Sequence, residues 1–366
     1  MKIAFFHELP YGGARRAVHE FGRQLKRNHT VDLFYVDDKG ESGARSIFDS
    51  VAFFQFIPKP WSGHNWKAKM YKDTIELYKL AMLHKNLAKK IDQKNYDFVF
   101  VHGSKYTQAP FMLRYLKTTS AYYCQEPLRM IYEELFDKTN ELSIERKLYE
   151  RSTRKMRKII DKKNIFSAKI LLANSIYTKN NIKKAYGLDA TVCYMGVDIS
   201  KFYPQASKKR FDILFVGSMD EADGYQFLQQ GINLMKKKPI IRYVLRENEW
   251  ISDDSVMRKL YNSSKLLTCL GYREPFGLLP LEAQACGIPV VAVCEGGYLD
   301  TVKDKVTGFL IKRDPKILAQ TFVKLLDNPE EIGKLGENAS RNIKENWTWE
   351  KSAGNLLKIY REKMKL

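Results

Sequence analysis

Short, nearly continuous apolar runs punctuate this chain, and amphipathic stretches separate them. The runs are IAFF (3–6), VDLFYV (31–36), FVFV (98–101), AYYC (121–124), ILLA (170–173), DILFVG (212–217), IIRYVL (240–245), LLTCL (266–270) and IPVVAV (288–293). A strand that is apolar on both faces belongs to a parallel sheet covered by helices on each side. The intervening segments carry the helical period, as in Ala17, Phe21 and Leu25. At 366 residues the chain exceeds what one core usually serves. The pattern therefore predicts an α/β protein of two Rossmann-like lobes. The natural break is YMGVDISKFYP (194–204), after a helix that Gly187 ends and before the strand beginning at Asp212. This places a first lobe at 1–193 and a second from 194 onward.

Ligands in such sheets bind at the carboxyl ends of strands. Turns with candidate chemistry there are HELPYGGARRA (7–17), YYCQEPLR (122–129), VGSMDEADG (216–224) and GYREPFGLLPLEAQACGIPVV (271–291). In the last, Pro275 and Gly277 argue against one helix running from Glu274 to Glu282. The expectation is a short helix from Leu279, with Pro280 at its first position and Gly287 just past its end. Glu274 then projects from the turn and Glu282 lies in the first helical turn. The N–H groups of Gly277, Leu278 and Leu279 would form an anion site at the positive helix end, suited to a diphosphate. A helix-capping turn with two solvated glutamates is the plainer alternative. Gly12 and Gly13 permit close approach of backbone to ligand, but equally suit an ordinary strand-to-helix turn. His102 ends a strand-like run and reads as packed, solvated or ligand-facing.

Composition narrows the class. Apolar residues make up 44% of the chain and aromatics 13%, enough for sizeable cores. The five cysteines form no CxxC pair and no Cys/His cluster, which suits reduced thiols in a cytoplasmic protein. The first apolar run is too short for a signal sequence, and none approaches the roughly 18 residues of a membrane span. Sixty-two Lys and Arg against 42 Asp and Glu give a net charge of +20. Such a charge suits an anionic lipid surface, nucleic acid, or simply a solvated lysine-rich surface.

The run EPFGLLPLEAQACGIPVVAVCEGG resembles the signature of family-4 glycosyltransferases. LLANSIYTKNNIKKAYG (171–187), GVDISKFYP (196–204), GGYLDTVKDKVTGFL (296–310) and WTWEKSAGNLLKIY (347–360) resemble further segments of that family, in the same order. The resemblance implies the GT-B type of fold, two facing Rossmann-like lobes with a nucleotide-sugar in the cleft. It implies an acceptor lobe at 1–193, a donor lobe at 194–345, and a closing helix at 346–366 that crosses back to the first lobe. It implies retention of anomeric configuration with no metal and no cofactor, and no DxD-like motif is placed to hold a divalent ion. By position, Glu274 would hold donor sugar hydroxyls and Glu282 the ribose hydroxyls. The backbone of Phe276, Gly277, Leu278 and Leu279 would cradle the distal phosphate, and Gly12 and Gly13 would form the loop over the diphosphate.

Gln125 stands where the family often has a histidine contacting the transferred sugar; an amide can position the sugar but cannot titrate. Glu126 and Arg129 would shape the acceptor side with His102, or pair with each other. After Gly217 the family typically offers an arginine and, five residues on, a lysine. Here Ser218 and Asp223 fill those places. Arg273 and Arg246 are candidate replacements, Arg15 and Arg16 could add charge at the glycine loop, and Asp300 stands where the family often has glutamate.

The expected reaction moves a sugar to a hydroxyl of a glycan or lipid-linked acceptor, in surface glycan or glycolipid synthesis. Basic helical stretches at 145–163 and 67–90, the second preceded by Trp61 and Trp66, suit a peripheral place on the inner face of an anionic membrane. Within 145–163, Leu148, Met156, Ile159 and Ile160 fall at near-helical spacing, and a helix packed by that stripe with solvated lysines is the alternative. Two other readings stand beside this. Ser218, Asp223 and Gln125 motivate a degenerate, glycosyltransferase-like partner subunit. Charge alone motivates a transferase acting on DNA, and no base-reading motif supports nucleic acid as a partner.

Overall fold

The computed structural model describes residues 1–41, 43–58, 70–132, 144–249 and 251–365. Trp61, Trp66 and the start of the second basic stretch, 67–69, lie outside the described residues. The chain forms two compact units. The first comprises Met1–Asn174, Thr178–Cys193 and Asn355–Leu366; the second comprises Ser175–Tyr177 and Tyr194–Gly354.

Among the described residues of the first unit, an all-parallel sheet runs in the order β3-β2-β1-β4-β5-β6-β7. Its strands are β1 (Lys2–Glu8), β2 (Thr30–Asp37), β3 (Ser50–Gln55), β4 (Phe98–Ser104), β5 (Ser120–Cys124), β6 (Ile170–Ala173) and β7 (Thr191–Val192). The central strands β1, β4 and β5 carry apolar side chains on both faces because helices cover both. Phe5, Phe21, Phe100 and Tyr123 interlock edge to face on one side, beneath the helix Gly13–Leu25. Ala4, Phe6, Val99, Val101 and Leu80 fill the other. The end of the helix Trp349–Met364 belongs to this unit, where Tyr360 stacks on Phe98 at 4.4 Å. β1 is the point where strand order reverses, with β2 on one side and β4 on the other.

The second unit holds a parallel sheet in the order β12-β11-β10-β8-β9. Its strands are β8 (Phe211–Gly217), β9 (Ile241–Leu245), β10 (Ser264–Cys269), β11 (Val290–Val293) and β12 (Gly308–Ile311). Here the order reverses between β8 and β10. Helices begin where capping chemistry permits: Asp253, Asp314 and Asn328 each accept a backbone N–H, and Pro315 and Pro329 follow two of those caps.

The helix Ile144–Ile165 divides the apolar stripe, with Met156 and Ile160 half-buried and Ile160 packed against the core of the first unit. Leu148 and Ile159 are 61% and 55% exposed rather than packed. The buried face instead runs through Thr153, Asp161, Asn164 and Ile165. On that face Asp161 accepts from the Tyr186 hydroxyl at 2.6 Å and the Ala109 amide at 3.1 Å, beside the apolar contacts of Ile160 and Ile165. Among the described residues no helix is long and apolar enough to cross a membrane.

Candidate functional site

The order reversal in the second sheet brings the turns after β8 and β10 together. The Tyr272 amide donates to the Ala222 carbonyl at 2.7 Å. Gly224, at φ +81, lies so close that an added Cβ would stand 2.3 Å from the Leu270 carbonyl oxygen. Beyond the β10 turn, the helix Leu278–Ala285 starts at Gly277, whose φ of +85 favours glycine. The helix thus begins one residue earlier than expected, and Pro280 occupies its third position. Proline is tolerated there because first-turn N–H groups have no intrahelical partner in any case. Among the described residues no side chain caps this end and no acid lies in its first turn. Its first-turn amides thus carry no side-chain cap at the positive helix end.

Glu274 sits on the turn itself. Its backbone oxygen accepts from the Gly297 amide at 2.7 Å. A Cβ on Gly296 would come 2.4 Å from that same oxygen, and one on Gly297 would come 2.4 Å from Phe276 Cα. The paired glycines after β11 thus hold the Glu274 turn by direct backbone contact. Glu282 is the fifth residue of its helix rather than a first-turn residue. It is buried, and the Tyr261 hydroxyl donates to its Oε2 at 2.8 Å. Sequence reading missed Tyr261, and also Tyr298, whose ring lies 3.0 Å from the place of a Gly277 Cβ. Burial pushes both phenols well above their ordinary pKa, so they act as neutral groups.

The turn after β8 is closed by its own acid. Asp223 accepts from the Ser218 amide at 2.7 Å and from the Ser218 hydroxyl at 2.6 Å. Arg246, mostly exposed, lies 3.7 Å from the same carboxylate oxygen. A Gly217 Cβ would meet Asp223 at 3.1 Å. Arg273 is exposed in a left-handed conformation, φ +49, with its guanidinium 4.9 Å from the Tyr272 ring centre. Arg313, also missed, clamps Glu295 through two 2.9 Å contacts and the Leu270 carbonyl at 3.0 Å. Asp300 accepts from the Ile176 amide at 2.8 Å, and burial raises its pKa.

In the first unit, Gly12 caps the helix Gly13–Leu25 at φ +150 with open space around it. The Gln125 side-chain amide donates to the Ala14 carbonyl at 3.2 Å, tying the β5 turn to that helix start. Glu126 and Arg129 stand 4.0 Å apart, as a pair. Arg15 is spent internally, bonded to the Leu9 carbonyl and to Asp37, so it adds no charge above the loop. His102 is fully buried against Phe5, Phe100 and Tyr123, and burial holds it neutral with a pKa well below the ordinary histidine value. It is a packed core residue. His7 donates to Glu41 at 3.1 Å while its other nitrogen accepts from the Leu9 amide, which fixes the tautomer.

Residues 248–342 match the family described as "Glycosyl transferases group 1", and residues 11–201 match "Glycosyltransferase Family 4". A D-inositol 3-phosphate glycosyltransferase of Salinispora arenicola is 39% identical over 104 residues, 28% of this chain and 23% of that relative. The match therefore spans about a quarter of each protein. Among solved structures, sucrose-phosphate synthase from Thermosynechococcus elongatus superposes with TM-score 0.74 at 17% identity, over 99% of this chain and 98% of the other. HepE of Anabaena in complex with UDP-glucose superposes with TM-score 0.69 at 16% identity, over all of both chains. At such identities these likenesses speak for the fold alone, an α/β arrangement of two Rossmann-like lobes of the GT-B type. Because the second of the two family matches covers more than half of its residues, this chain belongs to glycosyltransferase family 4.

Proposed function

We propose that this protein transfers a sugar from a nucleoside diphosphate sugar to an acceptor hydroxyl, with retention and without a metal. The uncapped start of the helix Leu278–Ala285, with Glu274 on the turn before it and Glu282 held by Tyr261 within it, carries this reading. Amides and helix dipole would receive the departing diphosphate. Glu274 would hold the donor sugar and Glu282 the ribose. The acceptor hydroxyl enters on the side from which the diphosphate leaves. The C1–phosphate oxygen bond breaks as the new C1–oxygen bond forms, and the acceptor proton passes to the departing phosphate. The solved HepE complexes with UDP and UDP-glucose support a nucleotide-sugar donor, and UDP is the first probe to try. Titration of UDP, GDP and ADP by calorimetry, with turnover of the matching sugar nucleotides, tests the reading. Glu274→Ala should abolish transfer at unchanged Tm, and EDTA should leave the wild-type rate nearly unchanged. Undiminished turnover in the variant, or strict dependence on added manganese or magnesium, refutes the assignment.

A glycan or lipid-linked acceptor at an anionic membrane fits the helix Ile144–Ile165, whose exposed face mixes apolar with basic side chains. Ile144, Leu148, Ile159 and Phe166 lie exposed among Arg151, Lys155, Lys158, Lys162 and Lys163. That combination suits an interfacial helix on anionic lipid. The second reading, a degenerate partner subunit, is favoured by one observation: Asp223 already occupies the Ser218 amide and hydroxyl. It predicts no nucleotide binding by the wild type.

A further inference from the structure

The first unit contains a cavity of about 230 Å3 just past the carboxyl ends of β3 and β4, where Phe56 and Pro58 follow the one strand and Lys105 and Tyr106 the other. Resting on the transferase reading above, we infer that this cavity receives one uncharged sugar ring of the acceptor. Its size is below the roughly 300–1,000 Å3 of sites for drug-sized ligands, which suits a single ring. Its position follows the rule that ligands of parallel sheets bind beyond strand carboxyl ends.

The walls decide the chemical class. Phe56 and Tyr106 pack edge to face with centroids 5.3 Å apart, and Leu77 and Leu80 extend this apolar wall. The C–H face of a pyranose packs against such a surface. Opposite character comes from Asp73 and Glu76, both buried, on the π-helical segment Lys72–Glu76 that leads into the helix Leu77–Asp92. π-Turns of this kind commonly mark functional positions. Buried carboxylates accept sugar O–H groups strongly. The cations of the cavity are already engaged. Lys105 lies 2.6 Å from Asp37 and 3.5 Å from Asp38, and Arg157 bonds to Asp73. Arg15 and Lys79 complete these pairs, on Asp37 and Glu76, so an anionic ring, such as a sugar phosphate or a uronate, would find each of these cations already matched by an acid. Asp73 accepts from Arg157 and, at 3.0 Å, from the Tyr149 hydroxyl, and Glu76 accepts from Lys79 at 2.9 Å on one oxygen, so a neutral ring meets the second oxygen of Glu76 for a hydroxyl and an apolar wall for its carbons.

Ligand-detected NMR titration of the full chain tests this, with methyl α-glucoside, methyl α-galactoside and methyl α-mannoside as neutral probes. Glucose 6-phosphate and glucuronate are the anionic ones. At least one neutral glycoside should saturate, and the anionic probes should bind more weakly. Glu76→Gln should weaken that glycoside about tenfold, the scale of one hydrogen bond to a charged group. Glu76 pairs with the largely exposed Lys79, so this variant leaves no buried cation unpaired. Phe56→Ala should weaken it similarly, and melting curves establish that each variant is folded. Failure of every neutral glycoside to bind overturns the inference. So does tighter binding of the anionic probes, or wild-type affinity in folded Glu76→Gln. UDP titration of the same samples judges the donor reading separately, since neither substituted residue belongs to the second unit.

Discussion

Asp223→Asn isolates the most unusual feature of the second unit. In the wild type the carboxylate accepts from the Ser218 amide at 2.7 Å and the Ser218 hydroxyl at 2.6 Å. Arg246 lies 3.7 Å from it. Asparagine keeps an oxygen acceptor for the turn and removes the charge. With an effective dielectric constant near 20, two unit charges about 6 Å apart interact by about 3 kcal/mol. Asp223 is partly solvated, with a side-chain exposure of 28%, so screening should reduce this to about 1 kcal/mol per phosphate charge. Arg246, released from its acid, then becomes available to the diphosphate. Together these favour tighter nucleoside diphosphate binding by about 1–2 kcal/mol, or roughly five- to thirtyfold. Calorimetry of the preferred nucleoside diphosphate and its parent nucleoside, at low and high salt, reads the effect. The gain should be confined to the diphosphate and should shrink as salt rises. Equal affinity in wild type and variant, or an equal gain for the bare nucleoside, would refute the view that Asp223 opposes the phosphates.

Gly297→Ala should cost about 1–3 kcal/mol through overpacking, because the new Cβ would lie 2.4 Å from Phe276 Cα, and it should displace Glu274. A lowered Tm together with at least a hundredfold loss of turnover is expected; wild-type turnover would count against the glycine pair as the support of that turn. Asp161 has its pKa raised by burial from 3.8 to about 6, so the folded state holds the proton more tightly. Its contribution to stability is complete below pH 3.8 and is lost as pH rises through about 6, a fall of order 3 kcal/mol. Urea midpoints of wild type and Asp161→Asn between pH 4 and 7 should diverge over that window, and a constant difference would contradict the sign. Leu148→Ser with Ile159→Ser should weaken binding to anionic vesicles while salt weakens the wild type too, and equal binding to neutral vesicles would remove the membrane reading.

The alternation of apolar runs with amphipathic segments was enough to specify two parallel α/β sheets, because strands buried on both faces must be apolar throughout. Strands lacking that condition were not legible. β3 lies at a sheet edge and is only partly buried, and β7 and β12 have only 2 and 4 residues. Glu274 and the Gly277 turn could be picked out because their chemistry is local: proline, glycine and carboxylate within a few positions of a strand end. Their supports could not. Gly297 holds Glu274 from across the sheet, and Tyr261 reaches Glu282 from another helix. The capture of the Ser218 turn by Asp223, the loss of Arg15 to Asp37, and the rotation that exposes Leu148 and Ile159 are likewise tertiary outcomes. The first two depend on which polar group finds a partner once the chain is compact. Periodicity ranks side chains by polarity, whereas a buried hydrogen bond worth a kilocalorie or more is decided by distances that only the folded chain sets.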